Sequence, residues 1–268
     1  SDHIVYARME ELLRGESSLY CPLDGLWKFF CARNENQIIP GFEGSDYDCH
    51  PWADIPVPAH IQLEGYGAPQ YVNVQYPWDG VEDVPLGDVP QEHNPVACYV
   101  RYFFLPEAMR GQRVLVRFEG AESCVAVWLN GHYVGFAADS FSPAEFELTP
   151  YLAEGENKLA CRVYRWNIGS WLEDQDFFRF SGLFRSVSLV CIPKAHVWDI
   201  RIQTLLDDAY TDATLVLDTS LLLGQGAEGA TLHATLMDGK TVLATAQGGG
   251  ETQHFELSVH QPQLWSSE

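Results

Sequence analysis

Residues 124–138 read C-V-A-V-W-L-N-G-H-Y-V-G-F-A-A, and this stretch decides the fold. Apolar side chains alternate on both sides of Asn130-Gly131. Both of those residues tolerate the positive φ that a type I′ turn needs, so the stretch predicts a β-hairpin. The pattern recurs outward: Cys98–Leu105, Arg113–Glu119, Glu145–Leu148 and Lys158–Trp166 are short runs, most of them alternating, separated by turn residues. Such spacing predicts a β-sandwich. Towards the amino terminus, Ile4, Tyr6, Met9, Leu12 and Leu13 fall near helical spacing before Gly15, which predicts one short helix over residues 3–15.

Between helix and hairpin the signals are mixed. S-S-L-Y-C-P-L-D-G-L-W-K-F-F (17–30) begins the sheet, with Leu26 and Phe29, or Trp27 and Phe30, as its alternate faces. Cys31 to Val57 is loosely spaced and polar, which predicts a long loop entering an extended segment at Pro56-Val57-Pro58. Gly65-Tyr66-Gly67 marks a bend, and residues 71–76 alternate like a half-buried strand. Asp139 to Pro143 is a loop.

Composition shifts at Ile192-Pro193-Lys194, a linker before which 13 of the 15 prolines lie. Beyond it, V-W-D-I-R-I-Q-T-L, T-L-V-L-D-T-S-L-L-L, T-L-H-A-T-L-M, T-V-L-A-T-A and H-F-E-L-S-V are short, evenly spaced strands, with a hairpin turn at Asp238-Gly239. The expected organisation is all-β. An N-terminal helix or extension (1–16) precedes a jelly-roll β-sandwich (17–193), and an immunoglobulin-like β-sandwich follows (194–268). The final Q-P-Q-L-W-S-S-E ends before a last strand, so the second sandwich is expected to be incomplete, with an exposed edge.

The chain has 268 residues, 46% of them hydrophobic, and a net charge of −21. This charge repels phosphate backbones and anionic lipids, which excludes nucleic acid and membrane surfaces as natural partners. A neutral ligand meets no such repulsion. Seven widely spaced cysteines without a C-x-x-C pair point to buried reduced thiols rather than to zinc or a disulfide framework. A reducing compartment fits these thiols. The chain begins at Ser1 without an apolar signal core, as a trimmed chain does, so both the cytoplasm and, after removal of an export signal, the periplasm fit.

Two stretches carry chemistry. Trp166 to Arg185 crowds Glu173, Asp174 and Asp176 among Trp166, Trp171, Phe177, Phe178 and Phe180. Carboxylates grip hydroxyls through charge-assisted hydrogen bonds, while flat rings cover the C–H faces of a sugar. An alternative is that the rings fill core and the acids are solvated. Were residues 174–176 extended, Asp174 and Asp176 would face one way, with Arg179 and Arg185 as candidate partners. Pro77 to Pro95 is the second stretch, a proline-rich surface excursion that ends in Glu92-His93-Asn94-Pro95. Asn94 is either a turn-former or an amide projected toward a ligand. His93 reads as surface.

The run W-L-E-D-Q-D-F-F-R-F-S-G-L-F-R-S-V-S-L (171–189) resembles the first domain of glycoside hydrolase family 2 β-galactosidases of the lactose-operon type. Four further motifs match in the same order: G-Y-G-A-P-Q-Y-V-N-V-Q-Y-P (65–77), E-H-N-P-V-A-C-Y (92–99), W-L-N-G-H-Y-V-G (128–135) and D-S-F-S-P-A-E-F (139–146). The resemblance covers roughly Leu23 to Glu268. It implies that Asn94 binds the galactose ring and that Asp176 contacts the sugar and a sodium ion at the pocket edge.

In this family the catalytic glutamates, the active-site magnesium ligands and the (β/α)8 barrel lie beyond the two sandwiches. Retaining glycosidases need two carboxylates about 5 to 5.5 Å apart across the scissile bond. The resemblance therefore implies a non-catalytic amino-terminal portion that depends on missing C-terminal domains. The full-length parent would be a homo-oligomer using magnesium and sodium to hydrolyse terminal β-D-galactosides. Two alternatives are a stand-alone carbohydrate-binding module, gripping its ligand with Trp166, Trp171, Asp174 and Asp176, and the same domains of a β-glucuronidase or β-mannosidase relative.

Overall fold

A computed structural model of the chain describes residues 5–173, 176–224 and 226–267. They form two units, Val5–Cys191 and the residues from Ile192 onward. The helix is α1, Met9–Arg14, stopped by Gly15 at φ 72°. It is shorter than the apolar spacing predicts, and Met9, Leu12 and Leu13 are exposed. The helix is fastened instead by buried Glu11, whose carboxylate accepts from the Ala7 and Ser18 N–H groups and the Ser18 hydroxyl.

Twelve strands follow in the first unit: β1 (Tyr20–Pro22), β2 (Gly25–Ala32), β3 (Ala53–Val57), β4 (Gln70–Val72), β5 (Val96–Phe104), β6 (Arg113–Phe118), β7 (Cys124–Leu129), β8 (His132–Ala137), β9 (Ala144–Glu147), β10 (Glu156–Tyr164), β11 (Phe177–Arg179) and β12 (Val187–Ile192). A six-stranded sheet, β3-β2-β5-β10-β7-β8, packs on a four-stranded sheet, β1-β12-β6-β9. Trp27, Phe29, Tyr99, Phe118, Leu159 and Leu189 fill the space between them. This is the predicted jelly-roll sandwich, and the hairpin β7–β8 turns at Asn130 and Gly131, with φ of 51° and 86°.

Two expectations change here. Trp27 and Phe29 share the face toward the main core, whereas Phe30 and Ala32 face the other way, because a strand alternates with period two. Residues 31–57 are not a loose polar loop. Ile38, Phe42 and Cys49 form a second core against Ala32, Val96, Cys98, Val100 and Ala160 on the outer face of the large sheet. Buried Lys158 fixes this cover by donating to the carbonyls of Phe42, Gly44 and Tyr47 at 2.6, 2.8 and 2.6 Å. Residues 96–100 are consequently buried on both faces and form a continuous apolar run.

The strand predicted over 71–76 ends at Val72. It pairs only with β11, in the register Gln70↔Arg179, Tyr71↔Phe178, Val72↔Phe177. All seven cysteines are free thiols, five of them buried. The second unit holds β13 (His196–Leu206), β14 (Asp212–Leu222), β15 (Thr231–Asp238), β16 (Thr241–Gly249) and β17 (Thr252–His260), matching the five predicted strands. They form a β13-β14-β17 sheet and a β15-β16 hairpin that closes between Asp238 and Thr241.

Candidate functional site

The short β4–β11 ladder positions the site. Asp176 directly precedes β11, and its Oδ1 accepts a hydrogen bond from the Tyr71 hydroxyl on β4. That bond and the adjacent charge raise the Tyr71 pKa. Asp174 lies outside the described residues. Asp176 lines a cavity of about 380 Å³ together with His60, Tyr71, Glu122 and a group of phenylalanines. Phe178 packs on Tyr71 with ring centroids 5.3 Å apart, and Phe141 meets Phe177 edge-on at 6.0 Å. Acid and aromatic groups thus share one concave surface, as the composition of residues 166–185 predicts.

His60 and Glu122 were not visible as site residues in the sequence. The His60 ring is held between Phe180 at 4.5 Å and Phe184 at 5.2 Å, stacked within 5° of the latter. Burial lowers its pKa. Glu122 is 6% exposed. Burial first, and then neighbouring Glu173, push its carboxyl up to about 7 despite the opposing pull of Arg179 and Arg165. The only cue in the sequence is an acid placed immediately before an apolar strand, in A-E-S-C-V.

Arg179 is buried and reaches Glu173. Its Nη1 donates to Glu173 Oε2 at 2.7 Å. Arg185 donates to the carbonyls of Glu119 and Phe141 and lies over the Phe184 ring at 5.1 Å. It braces the cavity wall from behind.

Asn94 sits in a different cavity, of about 550 Å³, with Cys124, Phe136, Trp166 and Asn167. It is 7% exposed. Its Nδ2 donates to the Trp166 carbonyl at 3.0 Å, and its Oδ1 accepts from the Trp166 N–H at 2.9 Å. The amide therefore clamps the exit of β10 to the proline-rich loop. The two predicted residues do not share a cavity. Asn167, beside Asn94, donates to the Ser123 carbonyl, and Ser123 adjoins Glu122. Asn73 is nearer to Asp176 in register: it follows Val72 where Asp176 precedes Phe177, and it is exposed. Its signal is one of two amides, with Gln75, in the alternating Y-V-N-V-Q-Y-P run, where a strand residue needs no further role.

The tryptophans pack on one another. Trp78 meets Trp166 at 6.1 Å and Trp171 at 4.9 Å, and Trp171 Nε1 donates to the Asp88 carbonyl. They secure residues 77–95 to the turn at 168–171. A third cavity, of about 800 Å³, is lined by Asn34, Gln62, Trp78 and Arg165. Among the described residues no three His, Cys, Asp or Glu side chains converge as a metal site.

Residues 21–193 match the family described as glycosyl hydrolases family 2, sugar binding domain. The whole chain is 45% identical, over 273 residues, to a β-galactosidase of Halalkalibacterium halodurans. It is 42% identical, over 276 residues, to a β-galactosidase of Streptococcus thermophilus. It covers 27% and 26% of these two proteins, so it spans about a quarter of the length of the curated relatives it matches. A solved Bifidobacterium dentium β-glucuronidase, complexed with coumarin-3-O-glucuronide, is similar over 92% of this chain and 42% of that one, with a TM-score of 0.65 and 22% identity. That likeness shows the shared fold.

Proposed function

This chain belongs to the glycosyl hydrolases of family 2 by its sugar binding domain, and on that premise we propose that it is the amino-terminal part of a β-galactosidase. It would contact a terminal β-D-galactoside while carboxylates outside these 268 residues cut the bond. The supporting observation is the cavity in which Asp176, anchored by Tyr71, faces an aromatic wall. The high identity to β-galactosidases over the whole chain favours the galactoside over a uronide.

Within this reading Asp176 and neighbouring Asn73 form the sugar-facing edge. Asn94 acts through the backbone, holding the end of β10 and the turn that follows it. The packed tryptophans speak against a binding module that stacks its sugar on Trp166 and Trp171, since Trp166 is buried and Trp171 is half-buried against Trp78 and Tyr76. A sodium ion would find one carboxylate, Asp176, and the Tyr71 oxygen on this chain. Hard monovalent cations take more oxygens than that, so groups outside the chain would complete the shell. When bound, such an ion would lend positive charge to a sugar hydroxyl at Asp176.

The test compares the 268-residue chain with the longer protein that contains it, using 4-nitrophenyl β-D-galactopyranoside. The longer protein should release nitrophenol and the chain alone should not. Turnover by the isolated chain, or none by the longer protein, would refute the proposal.

A further inference from the structure

Two polar groups at the inner wall of the Asp176 cavity fall just short of each other. Glu122 carries a side chain only 8% exposed, and its Oε2 lies 3.8 Å from His60 Nδ1. That separation is too long for a hydrogen bond. His60 Nδ1 is itself buried and has no hydrogen-bond partner. Ring packing against Phe180 and Phe184 prevents the imidazole from swinging closer. Glu122 takes a backbone hydrogen bond from Phe180, whereas the buried His60 nitrogen carries a desolvation cost that nothing in the cavity wall offsets.

One hydroxyl oxygen can sit at ordinary hydrogen-bond distance from both atoms, donating to the carboxylate while meeting the ring nitrogen. No such oxygen belongs to a side chain of the cavity wall, where Tyr71 is already committed to Asp176. We propose that Glu122 and His60 form a hydroxyl-binding subsite that reads a second hydroxyl of the saccharide held at Asp176. The inference rests on the galactoside reading and extends it to the class of sugar accepted. With Asp176 and Glu122 on one surface and no Lys or Arg among its lining residues, the cavity takes a neutral polyol and repels a uronate.

The two groups enter the cavity from well-ordered supports. Glu122 is held by reciprocal backbone hydrogen bonds with Gly182, both 3.0 Å. His60 lies between Ala59 and Ile61, whose N–H groups donate to the carbonyls of Leu183 and Ser181. A subsite built on such a frame is preorganised.

The experiment uses the longer galactosidase that contains this chain. Glu122→Gln and His60→Gln are assayed on 4-nitrophenyl β-D-galactopyranoside and on its 2-, 4- and 6-deoxy analogues, with thermal melts for each variant. The expected result is an about tenfold or greater loss of kcat/KM on the parent glycoside in each variant. That loss should disappear on the one analogue lacking the bridged hydroxyl, a pattern that mere misfolding would not produce. Equal losses on all four substrates, or none, would overturn the subsite. Should either variant fail to fold, the other carries the same comparison. A wild-type enzyme inactive on galactosides would overturn the functional reading and this inference with it. An active wild type impaired by Asp176→Ala but indifferent to both Gln variants would overturn the inference alone.

Discussion

Asn94 and Trp166 hold each other through a two-bond clamp, amide to backbone, at 3.0 and 2.9 Å. The clamp spans 72 residues of sequence and ties the proline-rich loop to the end of β10. Asn94→Ala removes both partners and leaves the Trp166 N–H and C=O buried and unpaired. The expected cost is about 2–4 kcal/mol of unfolding free energy. Urea denaturation checks it, and an unchanged midpoint would show that the clamp does not stabilise the fold.

Lys158 supports a prediction of a different kind. Its ammonium is the donor for three loop carbonyls, with the Tyr47 ring 5.7 Å away. Lys158→Met keeps the apolar stem and strips the donor, which should cost roughly 3 kcal/mol. The damage should be local first, with faster amide hydrogen exchange in residues 42–52 than in β10. Uniform protection across both would refute the cradle.

Glu122 makes stability depend on pH. Its carboxyl is raised from an ordinary 4.5 to about 7, by burial and then by Glu173. Arg179, Arg165, His60 and Asp176 are the other charged or titratable groups around it. The folded chain therefore binds more protons than the unfolded one between these values, so stability falls as pH rises through them. The contribution is roughly 3 kcal/mol from about pH 4.5 to above pH 7. Glu122→Gln should be no more stable than wild type at about pH 5 and more stable at about pH 8. Melting temperatures at the two pH values test the sign.

The architecture was legible where local chemistry dictates it. Asn130-Gly131 can hardly be anything but a tight turn, and β15 and β17 alternate because one face of each meets solvent. Residues 33–52 were misread because their buried apolar side chains, Ile38, Phe42 and Cys49, follow no period. A loop that covers a sheet leaves no periodic trace. The crowding of acids and aromatics in residues 166–185 was legible and places Asp176 on an aromatic-lined cavity, whereas the tryptophans in the same stretch pack residues 77–95. Asn94 was legible as special but not in its role, since a residue before proline can turn inward as readily as outward. Glu122 and His60 lie 62 positions apart, and only the sandwich brings them to one wall.

The central claim is that Asp176 touches the sugar. Its most direct test is kcat/KM for 4-nitrophenyl β-D-galactopyranoside in the longer protein carrying Asp176→Ala, with the melting temperature measured alongside. A fall on the order of 100-fold without loss of folding is predicted, whereas a value within about twofold of wild type would contradict it.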